Sequence, residues 1–265
     1  MIRKIKETEK DWLMDQLKKD PSRTMFIYGD IQQNGLETDY QEIWLDEQDN
    51  KIGAVLLRYH NNFVFYLFDT IYDLVGFKER LDDPRINVMS GNKSQIDSLP
   101  SELFSSYSFR TMYFCECKEL KDNVLTQNVV RAQSSDAMAI AQSFYSITEF
   151  SDFNTNLEDR AQRMFDKLDS KKSRAFIVYD QDKVIAHANT SVETNASVMV
   201  GGVFTLPEYR TQGLASQVVY ELTKECLNEG KVPCLFYDNP KAGSIYHRLG
   251  YVTFDLWTIG KKVNV

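Results

Sequence analysis

The stretch from Gly201 to Leu222, GGVFTLPEYRTQGLASQVVYEL, limits what this chain can fold into more than any other segment. An apolar β-type run ends at Thr205, Pro207 turns the chain, and a strongly periodic helix starts at Gly213. The junction reads R-x-x-G-x-A, with Arg210, Gly213 and Ala215 at its fixed positions. The first turn of a helix leaves backbone N–H groups without intrahelical partners, and their aligned dipoles favour an anion there. Gly213 lets backbone approach such an anion, Ala215 keeps the helix start clear, Ser216 offers a hydroxyl and Arg210 adds a cation. A pyrophosphate is the natural guest.

Around this junction the second half reads β-α-α-β-β-β-α-β-α-β. It begins with a strand at Val129–Gln133 and an amphipathic helix at Leu157–Leu168. Three strands follow at Phe176–Tyr179, Val184–Thr190 and Val198–Thr205. After the Gly213–Asn228 helix come a short strand at Cys234–Tyr237, a helix at Ala242–Leu249 and a strand or hairpin at Tyr251–Ile259. The first half has a similar rhythm, with a helix at Asp11–Lys19, three strands, a helix at Ile71–Arg80 and further short elements. This is an α+β pattern, a mixed and mostly antiparallel sheet flanked by helices, written twice without a strict sequence repeat. The polar run KELKDN, Lys118–Asn123, marks the boundary, giving domains at 1–127 and 128–265.

Charge narrows the partners. With 38 acidic against 31 basic residues and a net charge of −7, the chain lacks the clustered cations that nucleic-acid phosphates require. No window approaches the ~20 apolar residues of a membrane span. The start, MIRKIKETEKDW, has no apolar leader stretch, and the expectation is a cytoplasmic protein. Cys115, Cys117, Cys226 and Cys234 lack metal or disulfide spacing and read as reduced thiols; three histidines are too few for a His-rich metal site.

The junction resembles the cofactor-binding motif of the GNAT superfamily of N-acyltransferases, Pro-x-x-Arg-x-x-Gly-x-Gly/Ala, here Pro207 to Ala215. A second segment, NPKAGSIYHRLGYV from Asn239 to Val252, resembles the family's N-x-x-A-x-x-x-Y-x-x-x-G-[FY] block. The resemblance covers roughly 128–265 and is dense from Gly201 to Tyr251. It implies acetyl-CoA as co-substrate and no metal. The backbone of Thr211, Gln212, Gly213, Leu214, Ala215 and Ser216 would wrap the CoA pyrophosphate beside Arg210. Val203, Phe204 and Thr205 would pair through main-chain groups with the pantetheine arm and acyl carbonyl, and Asn239 would touch the pantetheine. Tyr246 would protonate the leaving thiolate. The N-terminal half shows no R-x-x-G-x-G/A segment and reads as a degenerate, non-catalytic copy.

The base is less defined. Glu193 stands where the family often places a carboxylate, or is a solvated turn residue. Asp238 either faces the cleft or caps a helix; His187 is a core histidine or a proton relay; Cys234 is a buried strand residue or resembles the Cys or Glu that some family members carry before the second block. A chain of waters would make any single base unnecessary. The leading expectation is an N-acetyltransferase moving acetyl from acetyl-CoA to a small primary amine; the acidic surface favours a cationic one, such as a polyamine or amino sugar. The alternative is a CoA-binding or regulatory module without catalysis. An aminoacyl-tRNA-dependent transferase would need a basic surface that the composition does not offer. A homodimer is allowed. The aromatic run Phe63–Phe68, with Tyr59 and Trp44, is either core or one wall of the acceptor site.

Overall fold

A computed structural model describes residues 1–49, 51–70, 72–121, 124–126, 128–147 and 156–263. The chain divides into two compact units, Met1–Phe114 with Thr253–Val265, and Cys115–Val252.

The first unit holds β1 (Ile2–Lys4), α1 (Lys10–Leu17), α2 (Met25–Asn34), β2 (Gln41–Gln48), β3 (Lys51–Tyr59), β4 (Asn62–Leu67), α3 (Leu74–Leu81), β5 (Val88–Asn92), the short α4 (Lys93–Ile96) and most of β6 (Tyr107–Glu116). Strands β1 to β4 pair antiparallel in sequence order, and β5 joins β4 in parallel. The core is aromatic. Phe63 and Phe65 are buried edge-on against Phe77, with Trp44 buried in the same cluster. The aromatic run is therefore largely core, because its inward-facing positions alternate along a strand covered by α3.

The second unit holds β7 (Val129–Arg131), α5 (Ala137–Tyr145), α6 (Leu157–Asp169), β8 (Ala175–Asp180), β9 (Lys183–Glu193), β10 (Ser197–Thr205), α7 (Leu214–Asn228), β11 (Val232–Tyr237) and α8 (Pro240–Leu249). Strands β7 to β10 pair antiparallel in order and β11 joins β10 in parallel, the same pattern as β1 to β5. The fold is thus α+β, a mixed and mostly antiparallel sheet flanked by helices, with one element order present in both units. Among the described residues no helix is long and apolar enough to cross a membrane.

Two differences from the sequence reading have physical causes. The expected division at 127/128 differs from the compact units. The last strand, β12 (Val252–Lys262), follows α8 in the chain but pairs with β5, Trp257 opposite Asn92 and Lys261 opposite Val88. Asp122 and Asn123 of the expected boundary run, and Gln127 at the expected division, lie outside the described residues, as does Ile71 of the expected 71–80 helix. Helix α2 was not expected, since MFIYGDIQQN is rich in β-branched and aromatic residues. It is helical because Met25, Ile27, Tyr28 and Ile31 are buried on one side.

Candidate active site

The site is built around an irregularity in β10. Gly201 lies opposite Asn189 on β9, and Phe204 opposite His187, so β10 advances three residues while β9 advances two. This is a β-bulge. Gly202 carries it with φ +59°, in the left-handed region, and a Cβ there would fall 2.3 Å from Asn189 Oδ1 and 2.9 Å from Phe144 Cζ. Only glycine meets both demands. The His187 Nδ1 donates to the Gly202 carbonyl oxygen at 2.7 Å, and its ring stacks on Phe204 with centroids 5.3 Å apart.

The parallel pairing of β10 with β11 runs from Ser197 opposite Val232 to Val200 opposite Leu235. Val203, Phe204 and Thr205 continue beyond it, at the strand end that leads to α7. A bulged strand leaving its parallel neighbour opens main-chain groups that a regular ladder would occupy.

The turn after β10 leads into a helix N-terminus that no side chain caps. Arg210 Nε donates to the Thr205 carbonyl oxygen at 3.2 Å, tying the turn to the strand end. Thr211 has φ +69° and Gly213 φ +76°, with Gln212 between them at negative φ. Alternating signs of φ aim successive N–H groups toward a common point, an anion-binding concavity. Gly213 is the N-cap of α7 and no side chain caps that helix. A Cβ at Gly213 would meet nothing within 4 Å. Thr211, Gln212 and Gly213 are exposed, while Leu214, Ala215 and Ser216 are half-buried. In the first unit the corresponding helix, α3, is different: Asp73 caps it, accepting from the Gly76 N–H at 3.0 Å. There the chain's own carboxylate fills the place that α7 leaves open.

Helix α8 brings the second block. The Asn239 Oδ1 accepts from the Lys241 N–H at 2.9 Å and Pro240 opens the helix, so Asn239 is a true N-cap. Gly243 allows the ring of Tyr237 to lie where a Cβ would come within 2.4 Å of it. Tyr246 is 7% exposed, between Tyr237 and Tyr251 at ring-centroid distances of 5.9 and 6.0 Å. Burial pushes its hydroxyl up to about 12, with Cys115 adding to the effect.

The candidate bases separate. Glu193 is not at the bulge. It pairs with Val198 at the start of β10, six residues along β9 from His187, which is about 20 Å at ~3.3 Å per residue. Burial alone would raise its carboxyl, but Arg174 holds it low through two hydrogen bonds, 2.9 and 2.6 Å, with Thr190 and Lys231 contributing. Arg174 also binds Glu225 and Glu229. Glu193 belongs to an ion network around Arg174 that fastens β9 to α7, away from the bulge. Cys234 is fully buried in β11. His187 is fully buried, and desolvation, partly countered by the Gly202 hydrogen bond, lowers it to about 4.

Of the residues the sequence singles out, Val203–Thr205 end β10, the turn from Arg210 leads into α7, Asn239 caps α8 just after β11, and Tyr246 lies on α8 with its ring 5.9 Å from that of Tyr237. Sequence reading missed Gly202 and Asn189. The signal for Gly202 was present: paired glycines inside an apolar strand mark a bulge or a close backbone approach.

The GNAT acetyltransferase family pattern matches residues 17–259. A GNAT-family acetyltransferase from Colwellia psychrerythraea superimposes with a TM-score of 0.63 at 12% identity, covering 99% of this chain and 100% of that one. A GCN5-related N-acetyltransferase from Sphaerobacter thermophilus gives 0.62 at 13% identity, over 99% and 95% of the two chains. A tandem GNAT protein from the clavulanic acid biosynthesis pathway gives 0.58 at 10% identity, over 98% and 97%. At these identities the solved structures speak for the fold. No curated protein sequence matches the chain. The family match spans most of the chain, including the α7 turn and the α8 block, and the chain belongs to the GNAT acetyltransferase family.

Proposed function

We propose that the protein transfers the acetyl group of acetyl-CoA directly to a primary amine of a small molecule in the cytoplasm. One observation carries this reading: the uncapped N-terminus of α7, led by left-handed Thr211 and Gly213, follows directly from a bulged strand that leaves its parallel partner after Val200. The first feature suits a pyrophosphate and the second suits a thioester carbonyl that needs main-chain donors as it gains charge.

In this reading the backbone of Thr211 to Ser216 holds the pyrophosphate, and Val203, Phe204 and Thr205 align the pantetheine and polarise the carbonyl. Asn239, whose Oδ1 caps α8, lies beside the pantetheine. The neutral amine attacks the carbonyl carbon, the N–C bond forms and the C–S bond breaks. The nitrogen loses one proton and the thiolate gains one, so the products are amide and free thiol. An amine arriving as ammonium first gives its extra proton to water. Tyr246, held at about 12, stays protonated and serves as a hydrogen-bond donor to the developing thiolate. Full proton transfer from a hydroxyl held at about 12 to a less basic alkyl thiolate would be uphill, so stabilisation rather than outright protonation is its principal contribution.

The test is calorimetric titration with acetyl-CoA, followed by thiol detection with a panel of amines. Micromolar binding and amine-dependent thiol release are expected. Binding without release from any amine favours the CoA-binding module instead, and absence of binding removes the reading.

A further inference from the structure

Three tyrosine rings meet around α8. Tyr246 is the middle one, with the rings of Tyr237 and Tyr251 at 5.9 and 6.0 Å. The outer two commit their hydroxyls to the protein. Tyr251 is hydrogen-bonded to Thr223 Oγ1 at 2.7 Å and Tyr237 to His247 Nε2 at 2.9 Å. Tyr246 is buried too, and among the described residues its hydroxyl has no hydrogen-bond partner. The direction of that hydroxyl is therefore set by the rings beside it. Small tilts of so long a side chain move its tip, and a misplacement of about 1 Å at a reacting group can cost about 10²-fold in rate.

His247 ties the two outer tyrosines together. Its Nδ1 lies 2.9 Å from the Tyr251 carbonyl oxygen, which can only accept, so Nδ1 carries the proton. In the neutral ring Nε2 is then the acceptor, and the Tyr237 hydroxyl donates to it. The two rings meet edge-on with centroids 5.9 Å apart. Gly243, one turn before His247 on α8, supplies the seat for the Tyr237 ring. A Cβ there would fall 2.4 Å from Tyr237 Cε2 and 2.7 Å from its Cζ. Gly243 lies inside the helix and is not among the glycines with positive φ, so backbone freedom does not call for it. Alanine is the better helix former, and the ring of Tyr237 is what excludes it.

We propose that Tyr237, seated on Gly243 and fastened by His247, is a positioning residue for Tyr246: with Tyr251 on the other side, it holds the Tyr246 hydroxyl in the direction from which it donates to the leaving thiolate. The assignment rests on the acetyl-transfer reading above, in which Tyr246 is that donor. Gly243 and His247 act through Tyr237. His247 also couples the two flanks, because one imidazole bonds the side chain of Tyr237 and the backbone of Tyr251.

The experiment measures kcat and acetyl-CoA affinity in Gly243→Ala, Tyr237→Phe and His247→Leu, each made alone and in the Tyr246→Phe background. Gly243→Ala is the central variant, because alanine favours the helix while its methyl displaces the Tyr237 ring. Alone, each change is expected to lower kcat by about five- to ten-fold with acetyl-CoA affinity unchanged. His247→Gln, which keeps an acceptor for Tyr237, should recover most of the loss seen in His247→Leu. In the Tyr246→Phe background the same changes should alter kcat by less than about two-fold, since the hydroxyl they position is gone. In ¹³C spectra of tyrosine-labelled protein, the Tyr246 Cζ resonance, identified by its loss in Tyr246→Phe, should move in Gly243→Ala. An unmoved resonance, an undiminished kcat in Gly243→Ala, or an equal loss in both backgrounds overturns the positioning role. Wild-type kcat in Tyr246→Phe overturns the donor role and the positioning role with it. Absence of thiol release by the unaltered protein overturns the acetyl-transfer reading, and that failure is seen without any variant.

Discussion

The Nδ1 of His187 lies 2.7 Å from the carbonyl oxygen of Gly202, so a buried histidine on β9 is fastened to the bulge of β10. The bond fixes the tautomer of the ring and the direction of the bulge together. It joins β9 to β10 at the point where their register shifts.

Replacing Gly202 should be felt in both stability and turnover. In Gly202→Ala the methyl would have to occupy φ +59° and meet Asn189 Oδ1 at 2.3 Å. A loss of roughly 2–4 kcal/mol is expected in urea unfolding, from left-handed strain plus the clash. Thiol release should fall further than the folded fraction does. A variant with wild-type stability would show that the bulge is not required.

The neutral state of His187 sets an acid limit. Its folded-state value of about 4 lies below the ordinary 6.5. As pH falls through that window the unfolded chain takes up a proton that the native protein refuses, so stability declines. Linkage gives roughly 3 kcal/mol across the window. His187→Gln should flatten this part of the stability profile, measured by denaturant unfolding from pH 7 to 4.

Glu193→Gln separates structure from catalysis. Its carboxylate bonds Arg174, Lys231 and Thr190 rather than the bulge. The variant should lose about 1–3 kcal/mol of stability through the weakened network. Under conditions where it stays folded, kcat and its pH profile should be unchanged. A large fall in kcat with an altered acid limb would restore Glu193 as base.

At the α7 turn the comparison is Gly213→Asp with Gly213→Asn. Both side chains tolerate the left-handed region better than most, so φ +76° strains them alike. Asp adds a carboxylate beside the phosphates, and calorimetry should show acetyl-CoA affinity at least about ten-fold weaker than in the Asn variant. Equal affinities would place the pyrophosphate elsewhere.

Tyr246→Phe should leave acetyl-CoA affinity intact and lower kcat by about 10²-fold. The hydroxyl, pushed from 10.0 to about 12 by burial, also favours the native state below pH 10, and that contribution is lost as pH rises through 12. The variant should therefore unfold less steeply over that alkaline window.

The turn into α7 and the start of α8 were legible in the residues. R-x-x-G-x-A between an apolar strand and a periodic helix is a local pattern, and its physics is also local: free N–H groups, a small residue and a turn. Asn239 and Pro240 likewise announce a helix start through their own backbone preferences. Glu193 and His187 could not be ranked from sequence, because a carboxylate or imidazole becomes a base, an ion-pair partner or a core residue only through neighbours distant in the chain. Arg174 stands nineteen positions before Glu193, and Gly202 fifteen after His187.

The sequence by itself determined the α+β pattern, its repetition and the strand–turn–helix junction at Arg210 to Ser216, since each follows from periodicity or from a few adjacent residues. Tertiary structure alone decided which face of β9 meets α5, where the bulge directs His187, that Glu193 is taken by Arg174, and that β12 pairs with β5. Those outcomes depend on packing and register between segments far apart in the chain, and neither is written in local propensity.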